Sequence, residues 1–324
     1  MKKADNRPRL IVWQLEESGK ERGGGAELPV ADSFSTKECM LTIDSIARTS
    51  KTIVVLTGPG IPGRSDLLEI VEYGFALGLK IIIEAAPGDL TEELLQRFKG
   101  FGGRVFRIMI DGCIGEGEGE RYEETPQFLA LEECVHRVKR AGYGLHLGMS
   151  IGEVDARRLA VVHDYAFRRG AEGIYFHLDW AQAGSATAVP DVIDSIARIK
   201  ESSPREMYFS PQCIRYARAE RSPKELILET SPAGALPQQW CHSCAGGKSY
   251  AYISPAGEVR ACRGLLAGQR SLRSNGYNFK QIWEHARVFE DLRSRTRSCA
   301  GTRKSLGAPK AATKLPSPIQ ESYA

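Results

Sequence analysis

VVLTGPGIPGRSDLLEIVEYGFALGLKIII, residues 54–83, is the stretch whose reading decides the fold. An apolar, β-branched run ends in a glycine–proline turn at Gly58–Gly60. A helical pattern follows from Ser65 to Leu77, and a second apolar run covers Lys80–Ala85. Both runs are continuous rather than alternating, the pattern of parallel strands covered by helices. A strand, a helix and a second strand in this order make one right-handed crossover unit.

The same unit repeats outward in both directions. Strand-like runs lie at Leu10–Gln14, Thr52–Leu56, Arg104–Ile110, Gly144–Ser150 and Gly173–Asp179. Helical patterns lie at Thr36–Thr49, Thr91–Phe98, Gln127–Ala141, Val154–Arg169 and Val189–Ser202. Several starts carry capping residues: Ser35-Thr36, Thr91 with Glu92-Glu93 behind it, and Asp66 in a first turn. Six β-α units in a row fit a partial (β/α)6 barrel of the TIM-like kind or an open doubly wound sheet. In either, the loops after the strand C-termini carry the chemistry.

Beyond residue 203 the style changes. Pro204, Pro211, Pro223, Pro232 and Pro237 divide the chain, and then YAYISPAGEVRAC reads as a β-hairpin turning at Pro255–Gly257. One helix, FKQIWEHARVFEDLRSR, follows, its stripe of Ile282, Trp283, Ala286, Phe289 and Leu292 reading as core. The segment after Cys299 is of low complexity and is expected to be disordered. The expected organisation is a barrel over 8–203, a small cysteine-containing subdomain over 204–299 and a tail over 300–324.

The formal net charge of +4 is small for 324 residues, and much of it sits in the tail. That argues against a nucleic-acid groove. No apolar run approaches the roughly 18 residues of a membrane span, and the basic N-terminus lacks a signal-peptide core. The expected location is the cytoplasm, where disulfides are not expected. Cys39 and Cys134 lie in helical patterns and read as small core hydrophobes.

Cys241, Cys244, Cys262 and Cys299 are grouped differently. Two thiolates near a hairpin, a third at its end and a fourth one helix later can converge on an iron–sulfur cluster, with a zinc site as the chemical rival. Three other places stand out. Gly58-x-Gly60-x-x-Gly63 with Glu84 on the next strand has the layout of a dinucleotide fingerprint, although Pro59 and Pro62 remove two backbone donors. The same glycines also read as a tight turn on a barrel rim. His177 and Asp179 alternate on one strand, with His146 on its neighbour, so a polar ligand or solvent could meet them in a barrel interior. Asp111 ends the fourth strand, as a site residue or as the cap of a turn at Gly112.

The pattern C-x12-G-x4-C from Cys244 to Cys262, followed by NGYNFKQIWEHARVFEDLR, resembles the SPASM or twitch auxiliary domain of radical S-adenosylmethionine enzymes. PRLIVWQL, the 54–83 stretch, FRIMIDG and IYFHLDWAQAG resemble that family's first, second, fourth and sixth strands in the family's order. SPQCIRYAR resembles the branch that modifies haem precursors. The resemblance spans residues 8–299 and implies a partial barrel, a 4Fe–4S cluster, S-adenosylmethionine and an auxiliary cluster on Cys241, Cys244, Cys262 and Cys299. It implies a peptide or tetrapyrrole-type substrate.

Two of the family's motifs are missing. Its C-x3-C-x2-C falls on Gly19, Gly23 and Ala26 of the loop WQLEESGKERGGGAEL (13–28), and no cysteine precedes Cys39. Its G-G-E-P turn falls on Gly58, Pro59, Gly60 and Ile61, without the acid. The expectation is therefore a divergent member that has lost the catalytic cluster. It binds a substrate or assists a competent paralogue, with S-adenosylmethionine in doubt. The alternatives are an active enzyme with unconventional cluster ligation and a nucleotide-binding α/β enzyme using Gly58, Gly60, Gly63 and Glu84.

Overall fold

The computed structural model describes residues 6–15, 34–100, 106–114, 122–151, 156–178, 206–209, 246–261 and 268–294. Its framework is one sheet. Seven parallel strands follow in chain order: β1 (Leu10–Gln14), β2 (Ile53–Thr57), β3 (Lys80–Ala85), β4 (Phe106–Met109), β5 (His146–Ile151), β6 (Gly173–Leu178) and β7 (Glu206–Phe209). A hairpin of β8 (Tyr250–Ile253) and β9 (Glu258–Arg260) joins the other side of β1, and β10 (Arg270–Ser271) pairs with β9. The strand order is linear, β10-β9-β8-β1 through β7, so among the described residues the sheet is not closed. This is the expected partial α/β barrel, with one more parallel strand, β7, than the sequence pattern gave.

The helices are α1 (Thr36–Thr49), α2 (Leu67–Ala76), α3 (Glu92–Arg97), α4 (Pro126–Arg140) and α5 (Ala156–Arg168). Their starts are specified locally. Ser35 and Glu38 form a reciprocal capping box on α1, and Thr91 and Thr125 cap α3 and α4, the latter with Pro126 at the first helical position. Asp66 precedes α2 but caps nothing with its side chain, which is held by Arg64 and Thr36. The ends of α2 and α4 share a stop. Gly78 (φ 80°) and Gly142 (φ 83°) take the left-handed conformation, and the next amides, Leu79 and Tyr143, bond back to Gly74 and Val138.

The helix-facing side of the sheet is tightly closed. At Gly74 of α2 an added Cβ would overlap the Ile81 side chain, so glycine lets this helix sit against β3. Phe106 of β4 is edge-on to Phe98 and Tyr143 at ring separations of 5.3 and 5.2 Å. Cys39 and Cys134 are fully buried here, as expected, and burial pushes both thiols up to about 12.

The expected helix over 279–295 is instead two, α6 (Phe279–His285) and α7 (Arg287–Arg293), broken at Ala286, which is extended. Its apolar stripe is buried as expected. Trp283 stacks on Phe279 at 6.1 Å, with its indole nitrogen donating to the Asn6 carbonyl. No helix among the described residues is long and apolar enough to cross a membrane.

Candidate functional site

The face of the sheet opposite the helices is where polar side chains gather. Ile81, Ile83, Phe106 and Ile108 pack on the helix side, so period-two alternation turns Ile82, Glu84, Arg107 and Met109 to the other face. The ladders carry that face across the strands. Gln14 lies opposite Thr57, Glu84 opposite Arg107, and His146 opposite Gly173. Ile108 pairs with Leu147, which sets Arg107 level with His146.

Arg107 is the centre of this belt. Its Nη1 donates to Glu84 Oε1 at 2.7 Å, and its guanidinium carbon lies 4.0 Å from the centre of the Tyr175 ring. Both charged side chains are nearly withdrawn from solvent, 6% exposed for Arg107 and 11% for Glu84. Gly148 makes room for them. An added Cβ would lie 2.9 Å from Arg107 Cδ and overlap the Met109 sulfur. Nε of Arg107 is buried without a hydrogen-bond partner. His146 is buried at the start of β5, its Nε2 3.9 Å from Glu172 Oε2.

The hairpin closes the β1 side. β8 runs parallel to β1, and Tyr252 donates its hydroxyl to Gln14 Oε1 at 2.5 Å. Further out, Tyr277 donates to Glu38 of α1, and Arg273 approaches the same carboxylate at 3.4 Å. Burial would raise the Glu38 pKa, but bonds from Tyr277 and Ser35 and the charge of Arg273 outweigh it and hold the carboxyl below its usual range. Tyr277 itself has a left-handed backbone, φ 61°.

The residues anticipated from the sequence are only partly brought together. Glu84 and His146 lie on the belt. Glu84 is held by Arg107 and is far from serving a ribose on its own. Gly58, Gly60 and Gly63 form a turn whose amides are used internally: Ile61 bonds to Gly58, Gly63 to Gly60, and Arg64 to Ile61. The helix start beyond it carries Asp66, whose carboxylate takes up the Arg64 guanidinium, so that this cation is not free for a phosphate at the turn. This geometry supports the reading as a rim turn over the pyrophosphate cradle. Asp111 is exposed in the turn after β4, where Cys113 closes back to Ile110. His177 is paired by its backbone with Ser150. Gly19, Gly23, Ala26, Asp179, Cys241, Cys244, Cys262 and Cys299 lie outside the described residues. Among the described residues no three His, Cys, Asp or Glu side chains converge as metal ligands.

Sequence reasoning missed Arg107, Gln14, Tyr175 and Gly148. The available signal was Arg107 itself, a charge inside the apolar run FRIMI that no solvent-facing alternation explains.

The described strands form an open, mostly parallel α/β sheet with a hairpin beside the first strand. Two solved structures share it: Streptococcus suis SuiB bound to precursor peptide SuiA (TM-score 0.61, 9% identity, 89% of this chain and 67% of that one), and anSMEcpe with bound AdoMet (TM-score 0.51, 10% identity, 88% and 80%).

The curated relatives agree. The chain is 22% identical to the AdoMet-dependent heme synthase of Methanosarcina barkeri over 304 residues, covering 89% of this chain and 85% of that protein. It is 24% identical to the AdoMet-dependent heme synthase of Nitratidesulfovibrio vulgaris over 312 residues, 90% and 83%. It is 23% identical to the mycofactocin maturase MftC of Mycobacterium tuberculosis over 293 residues, 87% and 68%. No family model matches the chain. The chain is thus similar in fold to these solved structures and in sequence to these AdoMet-dependent relatives.

Proposed function

We propose that this chain is a divergent radical S-adenosylmethionine/SPASM-like protein that lacks the catalytic 4Fe–4S cluster. It acts by binding a tetrapyrrole- or peptide-type substrate, or by assisting a catalytically competent paralogue. The observation that carries this reading is the state of its first cysteine. The sequence offers no thiol before Cys39, and Cys39 is fully buried among the core residues packed by α1. A cluster ligand must present its sulfur where a cluster has room to sit. The residues of this loop therefore do not fit the family's cluster. Gly58–Ile61 likewise supplies no carboxylate for the methionine end of S-adenosylmethionine.

The barrel is assigned to residues 8–203 with β7 continuing its sheet, and the auxiliary subdomain to 204–299. There Cys241, Cys244, Cys262 and Cys299 are the ligands for one iron–sulfur cluster, with zinc as the rival. Asp111, His146, His177 and Asp179 are assigned to the substrate side. The location is the cytoplasm, and the partner is not nucleic acid. Relatives named as heme synthases and a peptide-bound structural neighbour support the two substrate types.

Anaerobic reconstitution tests the proposal, with iron and sulfide analysis, electron paramagnetic resonance and an assay for 5′-deoxyadenosine. One cluster or none, without cleavage of S-adenosylmethionine, is the expected result. Two clusters with cleavage would overturn it in favour of an active enzyme with unconventional ligation.

A further inference from the structure

We propose that the inward belt of the sheet is a carboxylate-binding site in which Arg107 forks the ligand's acid group. The inference deepens the binding role proposed above and rests on it for the substrate classes considered. Arg107 is buried, yet its Nε has no acceptor, while Glu84 takes Nη1 alone. A buried charged donor left unmade within the chain has a hydrogen bond to give to a ligand or to water. The Nε side of a guanidinium is an edge that meets carboxylates with two parallel hydrogen bonds.

The group is also held in place before any ligand arrives. Glu84 fixes one end at 2.7 Å, Tyr175 lies under the plane at 4.0 Å, and Gly148 gives the stem its space. A guanidinium so fixed loses little freedom on binding. Among the described residues the inward face is uneven: Val55, His146 and Tyr175 are buried, and other positions are less so. Val12, Thr57, Ile82 and Met109 are only partly buried, whereas their helix-facing neighbours Ile11, Val54, Ile81, Ile83 and Ile108 are closed off. The belt therefore offers one charged fork beside apolar surface, which suits an acid carried on an apolar body. Because Glu84 already balances one charge, recognition rests on the fork and not on bulk charge.

A porphyrin tetracarboxylate and an acidic peptide both supply this chemistry. The test titrates the full-length protein with a porphyrin tetracarboxylate, with the tetra-amide of the same porphyrin, and with acetyl-Phe-Glu-amide. Fluorescence quenching reads the porphyrins and calorimetry reads the peptide. The acid porphyrin is expected to bind at least tenfold tighter than the amide. Arg107→Lys, which keeps the charge and removes the fork, is expected to abolish that preference, while Arg48→Ala on the exposed face of α1 leaves it intact. Binding of the peptide alone, again dependent on Arg107, supports the site and assigns the acid to a peptide.

Equal binding of acid and amide to the wild-type protein would overturn the proposal, and that comparison holds even if the lysine variant does not fold. No binding of either acid would overturn it as well. The 5′-deoxyadenosine assay judges the cluster-free reading separately. Cleavage together with Arg107-dependent acid binding would remove that reading and leave this site standing.

Discussion

The two faces of one strand, β4, obey opposite rules. Phe106 and Ile108 enter the helix layer, where rings and methyl groups meet at van der Waals contact. Arg107, between them, enters the barrel interior, where it finds one carboxylate, one ring and an unfilled hydrogen-bond direction. The first face is held by packing and gains nothing from a partner outside the chain. The second carries a desolvated ion pair, an arrangement that seldom stabilises a fold relative to apolar residues of the same size. The comparison teaches that this protein spends its stability on one face and keeps polar chemistry on the other.

The largest expected effect breaks the packed face. Phe106→Ala removes a fully buried ring between two others and should cost about 3–5 kcal/mol in denaturant unfolding. A loss below about 1 kcal/mol would show that the helix layer is not the foundation described. Next comes the polar face. Glu84→Leu leaves Arg107 buried without its counter-ion and should cost about 3 kcal/mol. The double replacement Glu84→Leu with Arg107→Met should return stability to within about 1 kcal/mol of wild type. Should the double variant stay as unstable as the single, the ion pair is structural and the distinction between the faces collapses.

The packed face was legible in the sequence, because helix and strand periods are local. β1 and β3 lie where the apolar runs placed them, and α1 begins at the Ser35 signal. The polar face was legible only in fragments. His146 could be placed on an inward strand position, but Glu84 had a ribose role only as one of its readings, and its partner Arg107 sits on the next strand and leaves no local trace. The break at Ala286 was hidden for a related reason: the same apolar residues keep helical spacing on both sides of it. β7 is four residues long amid prolines, too short for a period to show.

A smaller effect tests the border between barrel and hairpin. Ser35→Ala removes the capping box on α1 and should cost about 1 kcal/mol. It also frees Glu38 from its two hydrogen bonds with the Ser35 hydroxyl, while the Ser35 amide still donates to the carboxylate. Thermal melts of the variant at neutral pH check this, and no change in the midpoint would mean that α1 is held by packing alone.

The smallest effect concerns how the hairpin side is kept on α1. Glu38 accepts from Tyr277 across the border and has a depressed folded pKa. A depressed carboxyl stabilises the fold above its unfolded value, near 4.3, and that contribution fades as pH falls through the lower, folded value. Tyr277→Phe should therefore cost less than about 1 kcal/mol at pH 7, since the carboxylate is partly solvated. The gap between variant and wild type should narrow on titration below pH 4, where the protonated acid no longer draws the phenol. If Tyr277→Phe opens no gap at either pH, Tyr277 acts through its left-handed backbone and its ring rather than through Glu38. The hairpin would then be docked on the barrel by shape, as the packed face is, and not by charge, as the belt is.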